Sequence, residues 1–224
     1  MLRRLACLGL LAIGVWPANL GTQDAARGKR FGAREGEVIT KAAREERHPD
    51  SLAVGQAAPD FALTDPAGKN EFKLSEFRGK RPVVLVFGSL TCPPFRRRVL
   101  DLDKLYAEYK DRVEFRFVYV REAHPDSILF VTEDGKESLQ KIEQTESLEQ
   151  RGKHATLCTE TLKLQMPVVV DKADNQVNKT YAAWPIRLVI VDSAGKLAHI
   201  SGPGPSGFDP AEIAAWLKTN APKP

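Results

Sequence analysis

Apolar and polar residues along this chain alternate between the patterns of buried strands and those of helices with one buried face. The run from Pro82 to Phe87 is almost entirely apolar, which is typical of a strand buried on both faces. The next apolar residues recur at helical spacing, at Phe95, Val99, Leu102, Tyr106 and Tyr109. That spacing predicts a helix, and the alternating residues 113–119 predict a second strand, parallel to the first.

Similar patterns extend over the rest of the chain after residue 53. The patterned segments that remain are, in chain order, an approach to a turn (54–68), a short return strand (72–74), a third buried strand (166–171), a β-hairpin (186–200) and a last helix that opens with a capping box (209–212). We therefore predict an α/β domain over residues 54–220, with a central mixed β-sheet flanked by helices.

The N-terminal part of the chain does not share this pattern. Met1-Leu2-Arg3-Arg4 is basic and Leu5 to Trp16 is apolar, which together resemble an export signal. Because about 20 apolar residues are needed to span a bilayer, residues 1–20 are interpreted as a signal peptide, with an N-terminal anchor through residues 5–16 as the alternative. Residues 21–53 carry mixed charges and few apolar side chains, which predicts a flexible leader or a lone helix. We therefore expect an exported protein, periplasmic or extracellular.

Composition narrows the class of protein. The chain has 224 residues, 42% of them hydrophobic, and a net charge of +4, which is too small to predict binding to nucleic acid. Of the three cysteines, Cys7 falls in the signal, which leaves Cys92 and Cys158 for one disulfide at most. The histidines have no paired spacing, and no glycine-rich phosphate motif occurs. We therefore expect no bound metal or cofactor, and the sequence sets no oligomeric state.

Cys92 is the most informative residue, because it connects the first predicted strand to the first predicted helix. A thiol at a helix N-terminus lies near unpaired backbone N–H groups and the positive end of the helix dipole, which favour the thiolate. The segment therefore predicts a nucleophilic cysteine with a lowered pKa; the alternative is an inert cysteine buried at a strand end. A thiolate can attack an aromatic halogen, a peroxide oxygen or a disulfide sulfur, and each reaction then needs a second thiol.

Further candidate residues flank the predicted strands and helices. Glu122 and His124 follow the second strand, whose carboxyl end should lie beside that of the first. They are candidates for delivering a proton to a ring carbon, or they merely cap the loop. Arg96 is either a partner of the thiolate or the substrate, or a solvated surface charge. Cys158 is either a small core residue or a resolving thiol for oxidised Cys92.

The order of these elements resembles the thioredoxin fold with the N-terminal extension found in redoxins. Cys92-Pro93-Pro94-Phe95 is similar to the Cys-Pro-Pro-Cys motif of exported thiol-disulfide reductases, with Phe95 in place of the second cysteine. Dithiol exchange within the motif is therefore excluded. Trp184-Pro185 matches the place where that fold keeps a cis-proline opposite the active cysteine; the alternative is an ordinary proline at a strand edge.

A narrower resemblance is to the iodothyronine deiodinase family. It rests on motifs that recur in the same order, namely residues 88–95, 118–124, 167–171, 181–188 and 202–205. The family's selenocysteine or cysteine nucleophile matches Cys92, and its proposed proton path matches Thr91, Tyr119, Glu122 and His124. We place a substrate pocket near the cysteine, lined by Ser89, Phe95, Trp184, Pro185 and Arg187.

Three positions depart from the hormone site of that family. Thr145 stands where the family has a helix histidine, Ile186 where it has a glutamate, and Pro203 where it has an arginine. Thyroid hormone is therefore not the substrate that we expect.

The resemblance implies a thiol-dependent oxidoreductase with Cys92 as nucleophile, a small-molecule substrate and an external thiol reductant. Reductive dehalogenation of an aromatic compound is the leading activity. A one-cysteine peroxidase or a thiol-disulfide redoxin is the alternative of the same class. From a different class, the alternative is a non-catalytic redoxin-like binding domain, in which Cys92 would stay protonated and unreactive.

Overall fold

A computed structural model describes residues 33–223, which contain a mixed seven-stranded sheet and a separate two-stranded hairpin. The strands are β1 (Ala62–Thr64), β2 (Glu71–Lys73), β3 (Val83–Gly88), β4 (Glu114–Tyr119), β5 (Ser127–Glu133), β6 (Lys136–Ile142), β7 (Val168–Val170), β8 (Arg187–Val191) and β9 (Leu197–Ile200). The helices are α1 (Pro93–Tyr109), α2 (Leu148–Leu162), α3 (Gln176–Thr180) and α4 (Pro210–Asn220), with short 3-10 turns at Arg44–Glu46 and Leu74–Phe77.

The strand order across the large sheet brings the site residues to one end of it. That order is β2-β1-β7-β4-β3-β8-β9. β4 is parallel to both β3 and β7, so the carboxyl ends of β3 and β4 lie side by side, with Gly88 opposite Tyr119. β8 is antiparallel to β3 and starts at the same end, where Arg187 lies opposite Phe87. The predicted mixed sheet flanked by helices is therefore confirmed.

Both faces of the sheet are covered by apolar side chains. Every residue of β3 is buried, as the continuous apolar run predicted. On one face, Val84 and Val86 pack with apolar residues of α1, α2 and α4, in the same cluster as Cys92. On the other face, Leu85 and Phe87 pack with residues of β1, β2 and α3. Each fully buried side chain of this size contributes about 1.5–3 kcal/mol, so the strand that carries the cysteine loop is anchored from both sides.

The β5–β6 hairpin is an element that the sequence analysis did not predict. Its turn, Asp134-Gly135, has positive φ at both residues, 50° and 74°. These angles are those of a type I′ turn, for which Asp-Gly is a preferred sequence. The Asp-Gly pair was therefore the available signal. β5 packs against α2 and pairs through Ile128 with Val38, near the start of the described chain.

Residues 33–50, named here the N-terminal strap, pack against the domain. Ile39 and Ala43 are buried, and the Ala43 N–H donates to the Ala123 carbonyl at 3.0 Å. A flexible leader was predicted over residues 21–53, and the structure corrects this for the strap. The prediction failed because a few buried apolar side chains are enough to hold a segment against the domain when its charged side chains find partners there.

The remaining N-terminal predictions fall outside the described residues. Residues 1–32 contain the predicted signal peptide and the beginning of the predicted leader, and neither is described. Over residues 33–223, none of the helices combines the length and the apolar character that a bilayer crossing requires.

Candidate active site

Cys92 lies in the loop between β3 and α1, where the sequence analysis placed it. β3 ends at Gly88, and α1 starts at Pro93 with Cys92 as its N-cap residue. The Cys92 N–H donates to the Ser89 carbonyl at 3.2 Å, which closes the turn. Proline suits the first helical position because its ring fixes φ and because no N–H is needed there. The local sequence thus positions the thiol at the N-terminus of the helix.

Phe95, which stands in place of a second cysteine, is a core side chain. It is fully buried and stacks on Phe117, with the ring centroids 4.6 Å apart. Gly88 leaves room for it, because a Cβ at that position would lie 2.4 Å from the Phe95 ring. The structure therefore assigns Phe95 to packing at the end of β3, whereas the sequence analysis placed it in the substrate pocket.

The Cys92 thiol does not have the lowered pKa that its position predicted. The residue is 1% exposed. Burial raises the pKa of Cys92 to about 12; a hydrogen bond from the Phe95 N–H lowers it, the charge of Glu122 raises it and that of Arg97 lowers it. The prediction was wrong for this conformation because desolvation of a buried thiolate outweighs the helix N-terminus. In this conformation Cys92 is a protonated thiol.

Glu122 is the centre of a buried hydrogen-bond network beside the cysteine loop. Its side chain is 0% exposed. Oε2 accepts the Thr91 N–H at 3.0 Å and the Thr91 hydroxyl at 2.6 Å. Oε1 accepts the Tyr119 hydroxyl and lies 3.1 Å from Nδ1 of His154. The Tyr119 oxygen in turn accepts the Leu90 N–H at 3.1 Å. One carboxyl group thus joins the loops that follow β3 and β4.

This network surrounds the carboxyl group with hydrogen-bond donors. Burial raises the pKa of the Tyr119 hydroxyl well above its usual value, and the charge of Glu122 raises it further. Tyr119 therefore keeps its proton and acts as a donor. Hydrogen bonds to a charged group contribute about 1.5–3 kcal/mol each, so the donors fix the carboxyl in place.

His124 joins the same loops through its backbone and is oriented by the strap. Its N–H donates to Thr91 Oγ1 at 3.0 Å. Its ring Nδ1 lies 2.8 Å from the Thr40 carbonyl oxygen and donates to it. Nearby, the Ser89 hydroxyl oxygen accepts the Ala123 N–H at 3.1 Å, which adds a further connection between the loops after β3 and β4.

The Trp184–Pro185 peptide bond is cis, as the resemblance to the thioredoxin fold implied. Because β8 starts beside the end of β3, this peptide adjoins the cysteine loop. The Trp184 indole N–H donates to the Glu122 carbonyl oxygen at 3.5 Å, and the Arg47 guanidinium lies 5.4 Å from the centroid of the indole. Trp184 is buried and contacts both the Glu122 backbone and Arg47 of the strap.

Arg187 faces away from the cysteine. It alternates along β8 with Leu188, which packs in the cluster that contains Cys92, so Arg187 points to the opposite face of the sheet. Its Nη1 donates to the Tyr181 carbonyl at 2.6 Å, and its Nη2 pairs with Asp50 at 2.5 Å. The guanidinium therefore fastens the end of α3 to the strap, which corrects its predicted place in the substrate pocket.

Arg96 pairs with the strap rather than with solvent. Its Nη2 lies 2.8 Å from Oε1 of Glu37, whose side chain is 1% exposed. The same carboxylate oxygen accepts the Phe130 N–H at 3.1 Å. The first turn of α1, the strap and β5 are therefore joined at Glu37.

Cys158 lies on α2, fully buried, and like Cys92 it forms no disulfide. Burial raises the pKa of the Cys158 thiol well above its usual range, the charge of Glu122 raises it further, and that of Arg96 lowers it. The Glu122 carboxyl thus acts electrostatically on both thiols. Both thiols belong to one apolar cluster, a position compatible with a core role and with a resolving role.

Two site residues on α2 were not predicted, His154 and Arg151. Arg151 is fully buried; its Nη1 donates to the Asp171 carbonyl at 3.0 Å and its Nε to the Thr145 hydroxyl at 3.1 Å. The Thr145 hydroxyl, which stands where the iodothyronine deiodinase family has a histidine, is therefore occupied by its hydrogen bond with Arg151. The available signal for His154 was its spacing from Cys158, four residues along the helix, which places both on one face.

Solved structures share this fold. A hypothetical protein from Sinorhizobium meliloti aligns with a TM-score of 0.55 and 21% identity, over 77% of this chain and 86% of its own. A protein from Chlorobium tepidum, described as a thiol:disulfide interchange protein, aligns with a TM-score of 0.52 and 23% identity. The alignment covers 75% of this chain and 95% of that protein. The fold and the site together define a thioredoxin-like domain with a single cysteine at the N-terminus of its first helix.

The sequence places the domain more narrowly. A profile of iodothyronine deiodinases matches residues 36–221, and the chain belongs to the iodothyronine deiodinase family. Thyroxine 5-deiodinase from Gallus gallus is 34% identical over 168 residues, which are 75% of this chain and 63% of that protein. The enzyme of the same name from Bos taurus is 36% identical over 165 residues, which are 73% of this chain and 53% of that protein. The chain thus spans less than two thirds of these relatives. The match begins within the strap, in agreement with its packing on the domain.

Proposed function

We propose that this protein reduces halogenated aromatic compounds at the expense of thiols, with Cys92 as the nucleophile. The Cys92 thiolate attacks the halogen, so that a sulfur–halogen bond forms, the carbon–halogen bond breaks, and the carbon takes a proton. A thiol, RSH, then displaces the halide and forms a mixed disulfide, from which a second RSH releases Cys92. The balance is Ar–X + 2 RSH → Ar–H + RSSR + HX.

The observation that carries this proposal is the buried carboxyl of Glu122. Dehalogenation needs a proton delivered to carbon, a requirement that thiol–disulfide exchange does not have. Glu122 is bonded directly to Thr91, the residue before Cys92, and is shielded from water. An acid in that position can donate a proton to the carbon that loses its halogen. Membership of the deiodinase family supports the same class of reaction.

The substrate in this proposal is smaller or less polar than a thyroid hormone. Thr145 is bonded to Arg151, and Ile186 is 1% exposed in the apolar cluster around Cys92. Pro203 has no N–H and no charge. None of these side chains offers the ionic partner that an amino acid end requires, so a halogenated phenol is the substrate class that we propose.

Access to the sulfur requires the site to open. Cys92 shares its apolar cluster with Ile39 and Ala43 of the strap and with Trp184. We propose that substrate binding displaces part of this cover. An exposed thiolate no longer bears the desolvation that raises its pKa, and the helix N-terminus then favours it.

The thiol that regenerates Cys92 in the proposed reaction can come from two sources. An external thiol is the final reductant, and no bound cofactor takes part. Cys158 is proposed as an internal thiol: its attack on the sulfur–halogen intermediate releases halide and forms a Cys92–Cys158 disulfide, which an external dithiol reduces. The signal-like residues 1–20 further support a proposal of export, with an extracytoplasmic reductant.

Turnover of a substrate panel tests the function. The reduced full-length protein is incubated with a dithiol and, separately, with iodinated and brominated phenols, iodotyrosine, thyroxine and hydrogen peroxide. We expect halide and dehalogenated phenol from the first group, and neither from Cys92→Ser. Peroxide consumption without halide release would favour the one-cysteine peroxidase. No turnover, with a Cys92 that resists alkylation, would favour the binding domain.

A further inference from the structure

His154 is the member of the Glu122 network that reaches solvent. Its side chain is 20% exposed, whereas that of Glu122 is 0% exposed, and its Nδ1 lies 3.1 Å from Glu122 Oε1. Thr91 and Tyr119, whose hydroxyls also donate to this carboxyl, are both 0% exposed. Among the described side chains that contact the carboxyl, His154 is therefore the one through which a proton from water can enter.

His154 also differs from Thr91 and Tyr119 in its ability to exchange a proton near neutral pH. An imidazole ordinarily gains and loses a proton between pH 5 and 8. A hydroxyl does not, and burial raises the pKa of Tyr119 well above its usual value. His154 can therefore carry a proton that Thr91 and Tyr119 can only hold in place.

We propose that His154 loads the proton that Glu122 delivers, an inference that rests on the proposed dehalogenation. In this step the His154 Nδ1–H bond breaks and a Glu122 Oε1–H bond forms, so a charged pair becomes a neutral pair. Glu122 then gives the proton to the ring carbon, and neutral His154 takes another from water. His154 acts through Glu122 and is a positioning residue, outside the proton path that the family resemblance implied.

Charged and titratable groups of α2, of β4 and of the loop after β4 surround the His154–Glu122 pair. On its own helix, Arg151 precedes it by one turn and Cys158 follows by one turn; Tyr119 faces it from β4 and Glu122 from the loop after β4. The buried guanidinium of Arg151 interacts electrostatically with both Glu122 and Tyr119. Arg151 thus favours the charged carboxylate that receives the proton, while burial of the site favours the neutral pair that the transfer produces.

The chain offers a matched control. His199 Nε2 lies 3.1 Å from Oε2 of Glu212, and its side chain is 23% exposed. The two atoms are as far apart as in the His154–Glu122 pair, and the imidazole exposure is similar. This contact, however, is an ion pair without a hydrogen bond, it joins β9 at the edge of the sheet to α4, and the Glu212 side chain is 46% exposed. His199→Gln thus removes a histidine from a comparable pair outside the site.

The test compares His154→Gln, His154→Asn and His199→Gln in the full-length protein. Both amides can donate to Glu122 but cannot carry a proton. The first measurement needs no substrate: an infrared pH titration follows the protonated carboxyl of Glu122, which is identified by its loss in Glu122→Gln. The second measurement is the pH profile of kcat and KM for a halogenated phenol, and circular dichroism checks that each variant is folded.

We expect the midpoint of Glu122 protonation to move to higher pH in each folded His154 variant, because a cationic neighbour is lost, and to stay unchanged in His199→Gln. In the same variants kcat should fall at least about tenfold and lose its dependence on pH between 5 and 8, with KM unchanged. An unshifted midpoint overturns the proposal, and so does a shifted midpoint with normal kcat. If wild type turns over no halogenated compound, the proposed function fails, while the infrared titration still decides whether His154 and Glu122 share a proton.

Discussion

The hydroxyl of Thr91 donates to the carboxyl of Glu122 at 2.6 Å, and the Thr91 N–H makes a second bond to the same oxygen at 3.0 Å. Thr91 precedes the thiol of Cys92, so the loop that carries the nucleophile is bound directly to the acid that is proposed to serve it. Since Tyr119 donates to the other oxygen from the end of β4, the loops after β3 and β4 are joined through one carboxyl group. Opening of the site is therefore assigned to the strap and not to the cysteine loop.

Cys92 should make the folded protein less stable at alkaline pH. Burial raises the pKa of this thiol to about 12, whereas a thiol in the unfolded chain titrates near 8.5. Above about pH 8.5 the folded state therefore binds more protons than the unfolded state, and the free energy of unfolding falls as the pH rises, by at most ~1.4 kcal/mol per pH unit. Chemical denaturation between about pH 7 and 10 should show a smaller loss in Cys92→Ser than in wild type. Equal losses would contradict the raised pKa.

Glu37→Gln should destabilise the protein more than Glu137→Gln. The Glu37 side chain is 1% exposed and accepts hydrogen bonds from Arg96 and from the Phe130 N–H, whereas the Glu137 side chain is 49% exposed in its pair with Arg34. Removing the charge of a buried, hydrogen-bonded carboxylate costs about 1–3 kcal/mol, and the loss of an exposed pair less than about 1 kcal/mol. Denaturant midpoints of the two variants check this difference, which similar values would refute.

The same pair of variants tests whether the strap covers the nucleophile. Loosening the strap at Glu37 should expose Cys92 more often, so iodoacetamide should modify Cys92 faster in Glu37→Gln than in wild type. Glu137→Gln should react like wild type. Mass spectrometry of the alkylated peptide separates Cys92 from Cys158. If the rate at Cys92 does not change in Glu37→Gln, the cover lies elsewhere.

Gly88→Ala should disturb the end of β3. The added Cβ would lie 2.4 Å from the ring of Phe95, which is stacked on Phe117 and cannot retreat. Overpacking of this kind costs about 1–3 kcal/mol. Phe95→Leu in the Gly88→Ala background should recover part of the loss, because the smaller side chain leaves room for the methyl group. Thermal unfolding of both single variants and the double variant measures the coupling, and strictly additive losses would exclude the proposed clash.

The sequence predicted the elements that depend on local pattern. The apolar run of β3 and the helical spacing of α1 define the loop of Cys92, and both are present. The rule that neighbouring parallel strands end together predicted that Glu122 would lie near that loop. In each case the information lies within one segment or between two adjacent strands.

Features that depend on tertiary burial could not be predicted in the same way. The pKa of Cys92 is raised mainly by desolvation, and the extent of burial cannot be inferred from the motif around the cysteine. His154 contacts a carboxyl 32 residues earlier, through a helix whose rotation the sequence did not fix. Arg187 matches its family position, yet its contacts with Tyr181 and Asp50 direct it to the other face of the sheet.

Cys158 should form a disulfide with Cys92 if it acts as the internal thiol. Both thiols are reduced and buried in one apolar cluster, so oxidation by one equivalent of hydrogen peroxide, without added thiol, should link their peptides once the site opens. The linkage should therefore form faster in Glu37→Gln than in wild type. Cys158→Ala keeps a small apolar side chain in the core and should leave oxidised Cys92 as a sulfenic acid, which dimedone traps. Turnover of this variant with a dithiol should stay close to that of wild type, because the external reductant replaces the missing thiol, whereas turnover with a monothiol should slow. Equal sulfenic acid trapping in wild type and Cys158→Ala, with no linked peptide in either, would leave Cys158 as a core residue only.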